Sequence, residues 1–179
     1  MAVNNRKVER NVRALLRVEI DENTVALRDY QKSVKERIGS HALTAEHFRR
    51  MVQSDSYRLT DLPGWRRQAI EKLFSSLPSA LNEEQIGEVG DFHRRLDKLT
   101  EAHAKIQKQF RDYGKGNMNA LTGTDDEWQL FESEMNSLIA LGDQLHHQLK
   151  PVRWRRIAKL PGRFKRGIDR ILPGRKSAP

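Results

Sequence analysis

The sequence predicts an all-α protein: an elongated helical bundle built on a long antiparallel helical hairpin, with a basic amphipathic C-terminal appendage. Apolar residues recur at steps of three and four over long stretches, which is the period of one helix face. The apolar–polar alternation that marks a strand is not found. Contents of 37% apolar and 32% charged residues are typical of long helices with narrow apolar stripes. We therefore divide the 179 residues into a helical body, 1–150, and a tail, 151–179.

The first predicted element is one long helix over residues 5–38, which Gly39 ends. The run Asp21-Glu22-Asn23-Thr24 suggests a break within it, because short polar side chains compete for backbone hydrogen bonds. The apolar stripe of this helix comprises Val8, Val12, Leu16, Ile20, Leu27, Tyr30, Val34 and Ile38.

Two short helices are predicted next. Thr44 caps the first, which runs over about 44–53. The second covers about 64–76 and ends at Leu77-Pro78-Ser79. Its apolar residues are Trp65, Ala69, Ile70, Leu73 and Phe74.

The hairpin, 82–113/124–150, carries the most regular pattern in the chain. Asn82 is expected to cap its first helix, and Thr124 with Glu127 forms a capping box for the second. Gly142 lies on the second stripe, where it would admit a bulky neighbour. The two stripes are Val89, Phe92, Leu96, Leu99, His103, Ile106, Phe110 and Tyr113, and Trp128, Phe131, Met135, Leu138, Gly142, Leu145 and Leu149.

The positive charge of the chain is concentrated in the tail. Residues 151–179 hold ten of the 33 lysines and arginines and a single acid, Asp169. The other 150 residues hold 23 bases and 23 acids, so their formal charge is zero. The net charge of +9 is therefore a property of the tail.

Large apolar side chains alternate with the cations of the tail, a pattern that suits a surface both anionic and apolar. Two short pieces, near 152–160 and 163–172, each end in Leu-Pro-Gly-Arg. The predicted membrane- or partner-binding residues are Arg153, Trp154, Arg155, Arg156, Ile157, Lys159, Leu160, Arg163, Phe164, Lys165, Arg166, Ile168, Arg170, Ile171 and Leu172.

Four surfaces remain open as the target of this tail. An anionic membrane uses both the charge and the apolar bulk. Nucleic acid uses the arginines, together with Arg6, Lys7, Arg10, Arg13 and Arg17 of the first helix. An acidic partner protein could take an amphipathic helix in a groove. Packing of the tail on the body is the fourth alternative.

Catalytic chemistry has little support in the sequence. There is no cysteine, no Gly-x-Ser-x-Gly and no phosphate loop. Asp143-x-x-His146 has the spacing of a metal motif but no second copy, so we expect neither metal nor other cofactor. We expect His103 to pack in the core with one hydrogen bond, and His93, His146 and His147 to be partly exposed.

The sequence thus predicts a non-enzymatic interaction or adaptor protein that its tail anchors at an anionic surface, most simply the cytoplasmic face of a membrane. The N-terminus carries no secretory signal, and no window has 18 apolar residues. Narrow stripes with charged flanks also suit coiled-coil pairing, so a homo-oligomer formed through the helical seams is a further expectation.

Overall fold

A computed structural model of the protein describes residues 2–38, 59–117 and 119–150. The described residues contain helices and no strand, so the all-α class is confirmed. The helices are α1 (Ala2–Ile38), α2 (Gln68–Leu73), α3 (Leu77–Ala80), α4 (Glu83–Gly114) and α5 (Thr124–Gln148), with a 3-10 turn at Phe74–Ser76. The predicted helix 44–53 and the tail 151–179 lie outside the described residues.

Helix α4 begins as the sequence predicts. The side chain of Asn82 accepts a hydrogen bond from the backbone N–H of Gln85 at 2.8 Å. The side chain of Gln85 accepts one from the backbone N–H of Asn82 at 3.3 Å, so the pair forms a capping box. Every residue of the predicted α4 stripe is buried.

Helix α5 begins differently from its prediction. Gly123 occupies the N-cap position with φ +78°, in the left-handed region that glycine tolerates best. Thr124 is fully buried inside the first turn, and its hydroxyl hydrogen-bonds the side-chain oxygen of Gln109 at 3.3 Å. The predicted Thr124–Glu127 capping box is therefore wrong, although the α5 stripe itself is buried.

Helices α4 and α5 run in opposite directions along one another. Glu88 of α4 pairs with Gln144 of α5, whereas Lys105, further along α4, pairs with Glu127 near the start of α5. Between these contacts Arg95 binds Glu134, with Nε 2.6 Å from the carboxylate.

Helix α1 is continuous, so the break predicted at residues 21–24 is wrong. Thr24 donates its hydroxyl hydrogen to the carbonyl of Ile20 at 2.7 Å, a bond within the helix. Asn23 instead bonds to the backbone of Arg66, a tertiary contact described below. Val8 was predicted to join the stripe but is 45% exposed, while Val12 to Val34 of that stripe are buried. The side chain of Ile38 is outside the described residues.

The second short helix begins later than predicted, and helical structure continues past its predicted end through a 3-10 turn and α3. Residues 59–67, called the strap here, are not helical, and α2 starts only at Gln68. Leu77-Pro78-Ser79 does not end the helical region, because Pro78 lies in the first turn of α3. A proline there loses no helix hydrogen bond.

The core lies where α1, α4 and α5 meet. The ring centroid of Tyr30 on α1 is 5.7 Å from that of His103 on α4 and 6.2 Å from that of Phe131 on α5. The imidazole of His103 hydrogen-bonds the carbonyl oxygen of Thr60 at 3.0 Å, as expected for a core histidine. Burial is the main cause that lowers its pKa, so the ring is held neutral.

Candidate functional site

The fifteen predicted binding residues of the tail lie outside the described residues. The structure does place Lys150, the residue from which the chain enters the tail, at the C-terminal end of α5. The surroundings of that junction are therefore the described part of the candidate site.

Two contacts fix the register of α5 against α1. A Cβ atom at Gly142 would lie 2.1 Å from Oγ1 of Thr24, so the two helices approach as closely as the glycine permits. One turn further along α5, Nε2 of His146 lies 2.8 Å from Nη2 of Arg17. Residue numbers rise on α5 as they fall on α1, so the two helices are antiparallel. Lys150, one more turn along, is level with the N-terminal half of α1.

That half of α1 is strongly basic. Between residues 6 and 18 there are five bases and one acid, Glu9, which forms an ion pair with Arg13 at 3.3 Å. The bases, called the basic half here, are Arg6, Lys7, Arg10, Arg13 and Arg17.

The positions of these bases do not complement the dipole of α1. The N-terminal end of a helix carries partial positive charge, and the first turn of α1 contains no acidic residue. By contrast, α5 has Asp125, Asp126 and Glu127 in its first turn, which complement its dipole. The basic half therefore does not complement the dipole of its own helix, whereas the acids at the start of α5 do.

The end of the bundle also carries acids. Glu83 and Glu84 lie in the first turn of α4, where they complement the helix dipole. The junction itself is held by His146, whose Nδ1 lies 3.1 Å from Oδ1 of Asp21. Burial first and then the Arg17 guanidinium lower the pKa of His146, so that it accepts from Arg17 as a neutral ring.

A second cluster, which the sequence did not reveal, is buried between α1, α2 and α4. Glu19 is only 4% exposed, and its carboxylate accepts hydrogen bonds from the backbone N–H groups of Ala69 and Ile70 at 2.6 and 3.2 Å. These N–H groups belong to the first turn of α2, so Glu19 caps that helix from a distant part of the chain. A single glutamate in an amphipathic helix gives no sequence signal of this role.

His93 lies beside this carboxylate. Its Nε2 is 3.4 Å from Oε1 of Glu19, and its side chain is 7% exposed, which corrects the expectation of a partly exposed residue. Burial and then Arg67 lower the pKa of His93 to about 4, against the raising effect of Asp97. The ring is neutral at neutral pH. Because both carboxylate oxygens of Glu19 are engaged by α2, the pair stabilises the fold rather than presenting a base to solvent.

The strap is held to both neighbouring helices by side-chain hydrogen bonds. Asn23 donates to the carbonyl of Arg66 at 2.9 Å and accepts from its N–H at 2.8 Å. Nε1 of Trp65 donates to the hydroxyl of Thr100 at 2.8 Å, and Arg67 pairs with Asp97. The strap therefore fills the space between α1 and α4.

On the other side of α4, a groove of about 540 Å³ runs between α4 and α5. Leu99, Ile106 and Phe131 are among the apolar residues that line it. Ion pairs between the two helices, Arg95–Glu134 and Lys105–Glu127, cross it. The charges of its walls are mixed in sign, so the groove does not select a cation-rich or an anion-rich ligand.

The histidines and acids weighed as metal ligands are dispersed. His93 contacts Glu19, His146 contacts Arg17, and Asp143 binds Arg28 through both oxygens. Within the described ranges there is no group of three or more His, Asp or Glu side chains that could hold a metal ion.

Comparisons with protein-family models, with curated proteins and with solved structures find no match to this chain. Among the helices of the described residues, none is both long and apolar enough to cross a membrane.

Proposed function

We propose that this chain is a non-enzymatic helical interaction protein that attaches to an anionic membrane surface, with the cytoplasmic face as its location. In this proposal the body, built on the α4–α5 hairpin, carries the interaction surfaces. The tail 151–179, as a basic amphipathic appendage, and the basic half of α1 make the attachment together.

One observation carries the proposal. The basic half of α1 lies at the end of the bundle from which the chain enters the tail, and its charge does not complement the dipole of its own helix. Five bases therefore lie at the end of the bundle from which the chain enters a tail that holds ten more, while the first 150 residues are neutral overall. An anionic surface that approaches this end would meet both sets.

The chemistry of the tail favours a membrane over other anions. A cation near an anionic lipid surface contributes about 1 kcal/mol, and apolar side chains add to this by entering the acyl boundary. The tail supplies both kinds of residue, and Trp154 is of the type that prefers the interface. Phosphate recognition alone does not require Phe164, Ile168 and the other large apolar residues.

The direct test is co-sedimentation of the full chain with vesicles of phosphatidylcholine alone and of phosphatidylcholine with phosphatidylserine. We expect binding to the anionic vesicles only. The triple variant Trp154→Asp, Phe164→Asp and Ile168→Asp should weaken that binding by at least about tenfold, because the apolar part of the attachment is lost.

The contribution of the body is measured with a second triple variant, Arg6→Gln, Lys7→Gln and Arg10→Gln. It should weaken binding by about tenfold to a hundredfold. The matched control, Lys35→Gln, Lys72→Gln and Lys108→Gln, removes the same charge from exposed positions elsewhere and should bind like the native chain.

Two other results would replace the proposal. Binding to RNA or DNA that falls log-linearly with salt, depends on Arg155, Arg156, Arg163 and Arg166, and ignores the aspartate substitutions would indicate a nucleic-acid-binding protein. If the chain binds neither vesicles nor nucleic acid, an acidic partner protein or packing of the tail on the body becomes the explanation.

A further inference from the structure

Helix α1 carries a second apolar stripe, made of half-exposed side chains, beside the buried one. This outer stripe consists of Val8, Leu15, Val18 and Val25, which are between 44% and 55% exposed. Their steps of seven, three and seven residues are the a and d spacing of a coiled-coil helix. The stripe is about 25 Å long.

The spacing of the outer stripe is symmetric: the steps are seven, three and seven residues in either direction along the helix. The midpoint lies between Leu16 and Arg17, so reversing the helix about that point places Val8 on Val25 and Leu15 on Val18. A contact between two identical copies around a two-fold axis needs such a self-complementary pattern.

The charges of α1 favour the same arrangement. Residues 6–18 hold five bases and one acid, whereas residues 20–29, a range that leaves out the buried Glu19, hold three acids and one base. In an antiparallel pair the basic part of each helix lies against the acidic part of the other. In a parallel pair like charges would face each other, which is unfavourable.

We propose that the outer stripe of α1 binds a second copy of this chain as an antiparallel, two-fold symmetric helix pair. Val8 of one copy contacts Val25 of the other, and Leu15 contacts Val18, each twice by symmetry. Lys7 lies near Asp29 of the second copy. The seams predicted from the sequence are buried within one chain, so this contact uses a different face.

The contact is small, so it forms a weak dimer with a dissociation constant in the micromolar range. Sedimentation equilibrium of the full chain, from about 1 to about 300 µM and without lipid or nucleic acid, covers that range. This result is independent of membrane attachment, so a failure of either proposal can be told from a failure of the other.

The double variant Leu15→Glu, Val18→Glu should weaken the dimer by at least about a hundredfold, because it places four like charges at the centre of the contact. The control Leu130→Glu changes another exposed leucine, in the groove between α4 and α5, and should dimerise like the native chain. Far-ultraviolet circular dichroism checks that all variants are folded.

Charge reversal tests the pair formed by Lys7 of one copy and Asp29 of the other. Asp29→Lys should weaken the dimer, because two positive charges then face each other. Adding Lys7→Glu should restore the dimer, because the two positions again carry opposite charges. A loss that the second change does not restore would contradict the antiparallel register.

The orientation is tested by disulfide trapping, since the chain has no native cysteine. Val8→Cys mixed with Val25→Cys should cross-link readily. Either variant alone should not, because in the antiparallel pair the two identical positions are about 25 Å apart, beyond disulfide reach. Cross-linking of Val8→Cys with itself would establish a parallel pair and overturn the proposal.

The proposal is also overturned if the full chain stays monomeric at every protein concentration measured. If the full chain is monomeric but dimerises once residues 151–179 are removed, the tail rather than a second copy occupies the outer stripe.

Discussion

The contact between α4 and α5 and the contact of α1 with the strap and α2 are formed by different kinds of side chain. The first is an apolar stripe against an apolar stripe, with ion pairs at its exposed edges. The second depends on buried polar groups: Glu19 at the first turn of α2, His93 beside that carboxylate, and Asn23 at the backbone of Arg66. Apart from His103, the side chains of the apolar contact do not titrate, whereas the polar contact depends on protonation states and on the position of single oxygen atoms.

The largest effect is expected in the apolar contact. Phe92 is fully buried, and Phe92→Ala should lower the free energy of unfolding by about 3–5 kcal/mol, because a ring-sized cavity remains. Denaturant unfolding measures this. Leu130→Ala, at a position 71% exposed, is the control and should change stability by less than about 0.5 kcal/mol. Equal losses in both variants would show that Phe92 is not in a packed core.

The polar contact should make the protein sensitive to acid through His93. Its pKa in the folded state is lowered to about 4 from 6.5, so the unfolded chain binds more protons between these two values. The contribution of His93 to the free energy of unfolding is therefore fully present above pH 6.5. As the pH falls from 6.5 towards 4, the free energy of unfolding decreases by up to about 1.4 kcal/mol per pH unit. Unfolding measured at several pH values should show this slope.

The groups that face His93 are Glu19 from α1, Arg67 from the strap and Asp97 from α4. His93→Leu should flatten the pH dependence relative to the native chain. His147→Gln, at an exposed position, should leave it unchanged. The same slope in native protein and His93→Leu would assign the acid sensitivity to other groups, such as His103, whose pKa is also lowered.

Removing the carboxylate of Glu19, the remote cap of α2, should lower the free energy of unfolding by somewhat less than Phe92→Ala does. Glu19→Ala leaves the N–H groups of Ala69 and Ile70 without their acceptor, and we expect a loss of about 2 kcal/mol. Glu22→Ala is the matched control, because Glu22 pairs with Arg66 at the surface, and a surface ion pair contributes about 0–1 kcal/mol. Hydrogen exchange at Ala69 and Ile70 should accelerate only in Glu19→Ala.

The smallest effect concerns the close approach of α1 and α5. Gly142→Ala puts a methyl group on Oγ1 of Thr24, which should cost about 1–2 kcal/mol. Adding Thr24→Ala removes that oxygen and should recover part of the loss. A double variant whose loss equals or exceeds the sum of the two single losses would contradict direct contact between these positions.

The difference between the two contacts also decides which parts of the fold the sequence could predict. The stripes of α4 and α5, from Val89 to Tyr113 and from Trp128 to Leu149, are buried as predicted, because periodicity is a local property of the chain. Asn82 caps α4 as predicted for the same reason. The break predicted at Asn23 and Thr24 does not occur, because Asn23 bonds to a residue 43 positions away, a partner that local sequence does not reveal.

The candidate site divides in the same way. The sequence identified the basic residues of the first helix and the charge of the tail, since charge is read directly from composition. It could not show that Lys150 leaves the bundle beside those residues, because this depends on the antiparallel register of α5 and α1. The outer stripe was hidden because Val8 was assigned to the inner one.

By itself, the sequence determined the helical class, the two long stripes of α4 and α5 and the concentration of the net positive charge in residues 151–179. These follow from the spacing of apolar residues and from the count of charges, which need no knowledge of neighbours in space. Only the tertiary structure decided the continuity of α1, the role of Glu19 as a remote cap, the burial of His93 and the outward face of Val8 and Leu15. Each of these depends on which group lies opposite, and that is set by the packing of distant segments against one another.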